Sequence, residues 1–270
     1  MKKALFFDID GTLVNFQGKL PESTQKALIA AREAGHKIII ATGRSLFQIP
    51  EELFPYADGF IAATGAHIVV EGKEIYSVDM TRQQVQKILD FFRDTPAYLN
   101  FHARDGFYMT QNSYDRTIVR LSSRGRSPSV LGLFANNTHI VNGDSDYGAV
   151  KKAVFFDNSL PIEEVAAGLG EDFDVVPMSF IQNNEDSGEI TMRNINKSLG
   201  ISKVLEYYGM AWEDSIAFGD SHNDFDMIEY AKVGVAMGNS VPALKDLADF
   251  VTTDVDDDGI MNAMKHFELI

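Results

Sequence analysis

The sequence predicts an α/β protein: a parallel-sheet core interrupted by an inserted α+β domain. Three observations carry that expectation. Strand-like and helix-like segments alternate over the first 80 residues; the same alternation resumes after Lys197; and the stretch between them changes pattern. Alternating strands and helices bury both faces of a parallel sheet. Two flanks with the same pattern are expected to share one sheet, so we read residues 1–80 and 191–270 as the core and 81–190 as the insertion.

In the first flank, Ala4–Phe7 reads as a short buried strand. Pro21 to Ala34 has helical spacing of apolar residues, and Gly35 is a natural stop. Lys37–Ala41 is a β-branched run and so a buried strand, followed by Thr42-Gly43-Arg44 and a short helix toward Leu53. Gly59–Ala63 reads as another strand, and 67–70 and 74–78 form a hairpin around Glu71-Gly72-Lys73.

In the insertion, a helix is predicted from Thr81 to Arg93, then strands at Leu99–Ala103 and Phe107–Thr110. Ser123–Asn137, rich in Ser, Gly, Arg and Asn, reads as a long loop. Strands are expected at 139–142, 153–157, 174–177 and 180–183, with a helix at Ile162–Leu169. In the second flank, helices are predicted at Ser198–Tyr208, Asp224–Ala231, Pro242–Leu247 and Ile260–Phe267. They alternate with strands at Ser215–Phe218, Val233–Met237 and Phe250–Thr253.

Composition narrows the chemistry. The chain has 270 residues, 45% of them hydrophobic and 23% charged, enough for a large core without staples. It contains no cysteine, which excludes disulfides, thiolate metal sites and cysteine nucleophiles and fits a reducing compartment. The apolar run before Asp8 is too short for a signal-peptide core, and no later run approaches 18 apolar residues. A cytoplasmic protein without a membrane span is therefore expected. The net charge of −15, from 39 acidic and 24 basic residues, repels nucleic acid and anionic membranes. No nucleic-acid motif and no obligate protein partner is evident. An anionic substrate would need a local positive site.

Four segments carry chemistry, each at a predicted strand end or helix start. Asp8 and Asp10 follow the first strand, where ligands bind in an open parallel sheet. Two carboxylates at that spacing offer a hard cation one side chain and a backbone carbonyl, or else form a solvated turn. Thr42-Gly43-Arg44 provides a hydroxyl and backbone N–H groups for phosphate oxygens, or simply a helix cap. Lys197 opens a helix, where the macrodipole disfavours a cation; a bound anion would account for it, as would a surface position. Gly219-Asp220-Ser221-His222-Asn223-Asp224 places two acids and an amide in one turn, a plausible metal loop. Asp254–Gly259 imitates a calcium loop, but its twelfth position is Lys265, so an acidic helix start is the better account.

Taken in order, Asp8-Ile9-Asp10-Gly11-Thr12, Thr42-Gly43-Arg44, Lys197 and Gly219-Asp220-Ser221-His222-Asn223-Asp224 resemble the motifs of the haloacid dehalogenase superfamily of phosphatases. The Gly-Asp-x-x-Asn-Asp form and the long insertion are similar to its Cof-type subgroup with a C2B cap. The resemblance spans the whole chain and implies a Rossmann-like core. It departs at Thr64, where asparagine is frequent, and at Ser198, where glycine is.

The resemblance implies a phosphatase acting on small phosphorylated metabolites, either sugar phosphates or phosphorylated cofactors. Asp8 would be the nucleophile that forms an aspartyl-phosphate, and Asp10 the acid and base. Asp8, the Asp10 carbonyl and Asp220 would hold Mg²⁺, supported by Asn223 and Asp224. Thr42 and Lys197 complete the catalytic set; Gly43, Arg44 and Asn223 join them in binding substrate, although Arg44 could equally pair with an acid. The insertion would close over the site, with His102, Arg104, Arg116, Arg120 and Asn183 as conceivable contacts. A phosphomutase on the same scaffold and a non-catalytic regulatory protein are the rival readings.

Overall fold

The computed structural model describes residues 2–125, 128–142, 147–178 and 186–270. The first flank forms β1 (Ala4–Phe7), α1 (Glu22–Glu33), β2 (Lys37–Ala41), β3 (Gly59–Ala62), β4 (His67–Val70) and β5 (Lys73–Ser77). The insertion forms α2 (Arg82–Phe92), β6 (Tyr98–Ala103), β7 (Phe107–Met109), α3 (Gln111–Ser123), α4 (Pro128–Asn136) and β8 (Thr138–Ile140). It continues with β9 (Val150–Phe156), α5 (Ile162–Leu169), β10 (Phe173–Pro177) and β11 (Gly188–Met192). The second flank forms α6 (Lys197–Tyr208), β12 (Ser215–Gly219), α7 (Phe225–Tyr230), β13 (Val233–Ala236), α8 (Pro242–Leu247), β14 (Phe250–Val251) and α9 (Gly259–His266).

The chain divides into one unit of Met1–Ser77 with Ile195–Ile270 and another of Val78–Asn194. In the first unit the sheet order is β14-β13-β12-β1-β2-β3-β4-β5. Pairing is parallel from β14 to β3 and antiparallel through β4 and β5. Strand β12 of the second flank lies directly against β1, so both flanks build one α/β sheet. The Glu71–Gly72 turn joins β4 to β5 with positive φ at both residues, the primed geometry that suits strand twist.

The apolar runs follow from burial on both faces. Leu5, Phe7, Ile38, Ile40 and Phe218 face Ala27 and Leu28 of α1 and Ile260 and Met264 of α9. Ala4, Phe6, Ile39, Ala41 and Ala217 face Ile201 and Val204 of α6 and Met227 of α7. Phe7 and Phe218 stack across β1 and β12 with ring centroids 4.5 Å apart. The residues after both strands are thereby held on rigid neighbours.

In the second unit the sheet order is β10-β11-β9-β6-β7-β8, antiparallel except where β7 meets β8. The strand at 138–140 confirms the α+β character, but the expected Ser123–Asn137 loop is largely helical. Its polar composition hides the apolar run Val130-Leu131-Gly132-Leu133-Phe134, which begins behind Pro128 and buries Phe134 against Phe107. Residues 111–122, without a sequence assignment, form a helix capped by the Thr110 side chain. The predicted 180–183 strand lies outside the described residues, whereas β11, which sequence reasoning did not anticipate, lies inside its sheet between β10 and β9. A boundary at 190 would cut that strand. β11 is obscured by Glu189, whose carboxylate is buried in an ion pair with Lys152 of β9 at 2.6 Å.

Replacing Phe218 by Ala should destabilise the protein by about 3–5 kcal/mol, the usual cost of an unfilled aromatic site. Urea denaturation checks this: the midpoint should fall with little change in slope.

Candidate active site

Strands β12, β1 and β2 are adjacent and parallel, with Phe7 opposite both Phe218 and Ile40. Their carboxyl ends therefore emerge together, delivering Asp8, Thr42 and Asp220 to one edge of the sheet. All three are buried. Lys197, far away in sequence, is completely buried beneath them at the first turn of α6.

The carboxylates of Asp8, Asp220 and Asp224 each offer an oxygen within 4.8 Å of the others. Lys197 Nζ donates to Asp8 Oδ1 at 2.7 Å and to Asp224 Oδ1 at 2.6 Å. Asp224 Oδ2 accepts the backbone N–H groups of Asp220 and Ser221, closing the turn after β12. Thr12 Oγ1 donates to Asp220 Oδ1 at 3.0 Å. Gly11, at φ +87°, lies so close to the Asp220 carboxylate that a Cβ would overlap it. The glycine of the first motif thus makes room for the aspartate of the last.

Lys197 is positioned by the loop after β3. Ala63 and Thr64 adopt positive φ without being glycine, a strained arrangement that concentrates at functional sites. Their N–H groups donate to the carbonyls of Arg44 and Thr42. Gly65 then packs directly on the Asn196 carbonyl, where any Cβ would clash. Asn196 caps α6 through its side chain, which accepts from Leu199 N–H at 3.0 Å.

Asp10 points elsewhere. Its carboxylate is about half exposed and is held by Arg44, with Nε to Oδ2 at 2.9 Å and Nη2 to Oδ1 at 2.5 Å. The Arg44 backbone N–H donates to Thr42 Oγ1 at 3.1 Å. Because that oxygen already accepts, the Thr42 hydroxyl hydrogen is left for an acceptor in the site.

Burial dominates the electrostatics. It pushes the Asp8 carboxyl up to about 7 against the opposing pull of Lys197, with Asp224 and Asp10 adding to the rise. Burial likewise pushes Asp220 up to about 9, reinforced by Asp224 and Asp8 and weakly opposed by the Thr12 hydroxyl. For Lys197, burial pulls downward, but Asp224 and Asp8 outweigh it and hold the ammonium above its ordinary value. Three carboxylates face a single ammonium, and all the offered ligand atoms are oxygens. That donor set fits a hard divalent cation such as Mg²⁺.

Of the expected site residues, the fold unites Asp8, Thr42, Lys197, Asp220 and Asp224 at one sheet edge, with Gly43 and Arg44 in the turn after β2. The Asp10 side chain stays outside the carboxylate cluster, and Asn223 Oδ1 accepts from Ser221 Oγ at 2.9 Å. In the insertion, desolvation, with the nearby Lys152 ammonium adding to it, holds the partly buried His102 imidazole well below its ordinary range. Arg116 and Arg120 both clasp Asp157, and Arg104 lies in the turn after β6. Asn183 lies outside the described residues. Sequence reasoning gave no role to Thr12 or Asn239. Thr12 lies within the first motif, whereas Asn239, which donates to the Gly11 carbonyl at 2.8 Å, carries no local signal.

The chain is similar to known proteins over nearly its whole length. The family profile of haloacid dehalogenase-like hydrolases matches residues 5–264. The chain is 33% identical over 272 aligned positions to YkrA of Bacillus subtilis (strain 168), covering 99% of this chain and 98% of that one. Among solved structures it resembles the HAD subclass IIB sugar phosphatase BT4131, with a TM-score of 0.80 and 30% identity over all of both chains. It also resembles BT1666 from Bacteroides thetaiotaomicron, with a TM-score of 0.84 and 28% identity, covering 100% of this chain and 96% of that one.

The raised carboxyls of Asp8 and Asp220 bind protons more readily in the folded state than in the unfolded state. Without a cation, their contribution to stability is present below the ordinary carboxylate range near 3.8 and is lost as pH climbs toward about 7 and about 9. A bound divalent cation compensates the ionised forms. We therefore expect Mg²⁺ to raise the melting temperature more at pH 8 than at pH 5. An equal effect at both values, measured by calorimetry, would refute the assignment of these carboxylates as ligands.

Proposed function

The chain belongs to the haloacid dehalogenase-like hydrolases, and from that membership we propose a Mg²⁺-dependent phosphatase that turns over through a phosphorylated Asp8. Its substrates are small phosphorylated metabolites. Sugar phosphates head the candidates, because BT4131 is described as a sugar phosphatase, and phosphorylated cofactors follow. The observation carrying the reading is the buried Asp8 carboxylate, bridged through Lys197 to Asp224 and adjoining Asp220. The cytoplasm, which supplies such metabolites, is the expected setting.

In this reading an Asp8 oxygen attacks phosphorus in line with the ester bond. The P–O bond to the alcohol breaks as the acyl phosphate forms. Asp10 delivers a proton to the leaving oxygen and later takes one from the water that hydrolyses the acyl phosphate. Lys197 has three N–H donors; two are engaged by Asp8 and Asp224, and the third serves a phosphoryl oxygen. The Thr42 hydroxyl serves another. Asp8, the Asp10 carbonyl and Asp220 would hold Mg²⁺, with Asp224 and Asn223 supporting it; when bound, the ion neutralises phosphoryl charge and orients the phosphate. Positioning and charge neutralisation supply most of the catalysis in phosphoryl transfer.

The test is phosphate release from sugar phosphates, pyridoxal phosphate, flavin mononucleotide and p-nitrophenyl phosphate, with and without Mg²⁺. Asp8→Asn should abolish turnover. Lys197→Ala should lower the rate on the order of 10²–10³-fold, the scale of one electrostatic stabiliser. Near-normal release by Asp8→Asn, or silence from folded wild-type protein across the substrates, would sink the reading. Isomer formation without net release would identify a mutase.

A further inference from the structure

Arg44 is the residue through which the phosphate loop reaches Asp10. The guanidinium meets the carboxylate as a fork, one nitrogen to each oxygen, at 2.9 and 2.5 Å. Its third nitrogen, Nη1, donates to the Gln48 carbonyl at 3.2 Å. Each nitrogen of the side chain thus has one partner inside the fold, while Nη1 and Nη2 each keep a second N–H. A phosphate held by the same fork would have to break both Asp10 contacts. Solvent reaches the pair, since the side chains are 31% and 43% exposed, so it adds little to stability. What it supplies is orientation, because a bidentate fork fixes the plane of a carboxylate that would otherwise rotate.

The backbone of Arg44 has a separate task. Its N–H orients the Thr42 hydroxyl, and its carbonyl accepts from Ala63 N–H at 2.7 Å. Neither contact depends on the side chain. Truncating the guanidinium therefore leaves the backbone contacts of the turn after β2 in place and removes the grip on Asp10 together with the single bond to the Gln48 carbonyl.

We propose that Arg44 is the positioning residue for Asp10, holding the carboxylate where it serves the ester oxygen, and that it is not itself a ligand of the substrate phosphate. This rests on the role given to Asp10 above. Protonation matters most when the leaving alkoxide is strongly basic and least for nitrophenolate. Loss of Arg44 should therefore discriminate between leaving groups that carry the same phosphate.

The experiment compares wild type, Arg44→Ala and Arg44→Lys on an alkyl phosphate that the wild type accepts and on p-nitrophenyl phosphate. Titration with orthovanadate reports the phosphate site without turnover. For Arg44→Ala, kcat on the alkyl ester should fall on the order of 10²-fold, within the range of a general-acid contribution, and on the aryl ester less than about tenfold. KM and vanadate affinity should stay within about threefold of wild type, because no phosphate contact is lost. Arg44→Lys should not restore the alkyl rate, since an ammonium lacks the fork. In an Asp10→Asn background, Arg44→Ala should cost less than about threefold more, as expected for residues acting as a unit. Equal losses on both esters, additive losses in the double variant, or a clear weakening of vanadate would overturn the proposal. A folded wild type whose phosphate release is insensitive to Asp8→Asn would instead remove the mechanistic reading on which it rests.

Discussion

Three carboxylates and one ammonium are buried within reach of one another at the edge of the core sheet, and the surrounding structure is arranged to tolerate them. Burying an unpaired charge is prohibitive, and removing one partner from a buried pair costs about 3–5 kcal/mol. Donors are distributed accordingly. Asp224 has Lys197 and two backbone N–H groups, and Asp8 has Lys197. Asp220 is supported by the Thr12 hydroxyl. The order of the carboxyl shifts follows that distribution: Asp220, with neutral support, is pushed to about 9, and Asp8, beside the ammonium, to about 7. The demand for further positive charge is therefore greatest at Asp220 and Asp8, where a divalent cation would do most to stabilise the ionised cluster.

Holding the four groups in place requires backbone from both flanks. Asp8, Thr42 and the loop at Ala63–Gly65 come from the first, Lys197 and Asp220 from the second. Because β12 lies against β1, neither flank builds the site alone. The close contacts bind them together: Gly11 makes room for the Asp220 carboxylate, and Gly65 seats against Asn196 immediately before Lys197. The positive φ angles of Ala63 and Thr64 cost conformational energy. They persist because their N–H groups are tied to the residues on either side of Gly43.

Much of this was legible in the sequence because the chemistry sits beside strong local signals. Phe7, Ala41 and Phe218 end apolar runs that read as buried strands; Asp8 and Thr42 come next, and Asp220 follows Phe218 with one residue between. A residue adjoining a strand end can be placed without knowing any long-range contact. The partner of Arg44 could not be placed that way, since Asp10 lies 34 residues away and many acids compete for it. Composition misled where it outweighed pattern: polar neighbours concealed the apolar face of α4. Charge concealed β11, because Glu189 and Lys152 neutralise one another inside the sheet. The role of Thr12 was missed although the residue was noticed, because a hydroxyl acquires its meaning only from the carboxylate the fold brings to it.

The strongly acidic composition is compatible with an anionic substrate on grounds of range. At physiological ionic strength, exposed charges are screened beyond about 8 Å, so most of the net charge of −15 is not felt at the sheet edge. There the relevant groups are the buried Lys197, the Thr42 hydroxyl and any cation held by the carboxylates, all acting in a medium that screens poorly. The distant acids retain one effect. They disfavour extended polyanions, which must lie along the surface, while a small phosphate meets only the local field. Net charge and site charge thus act on different length scales, and the fold separates them by sinking Lys197 to complete burial.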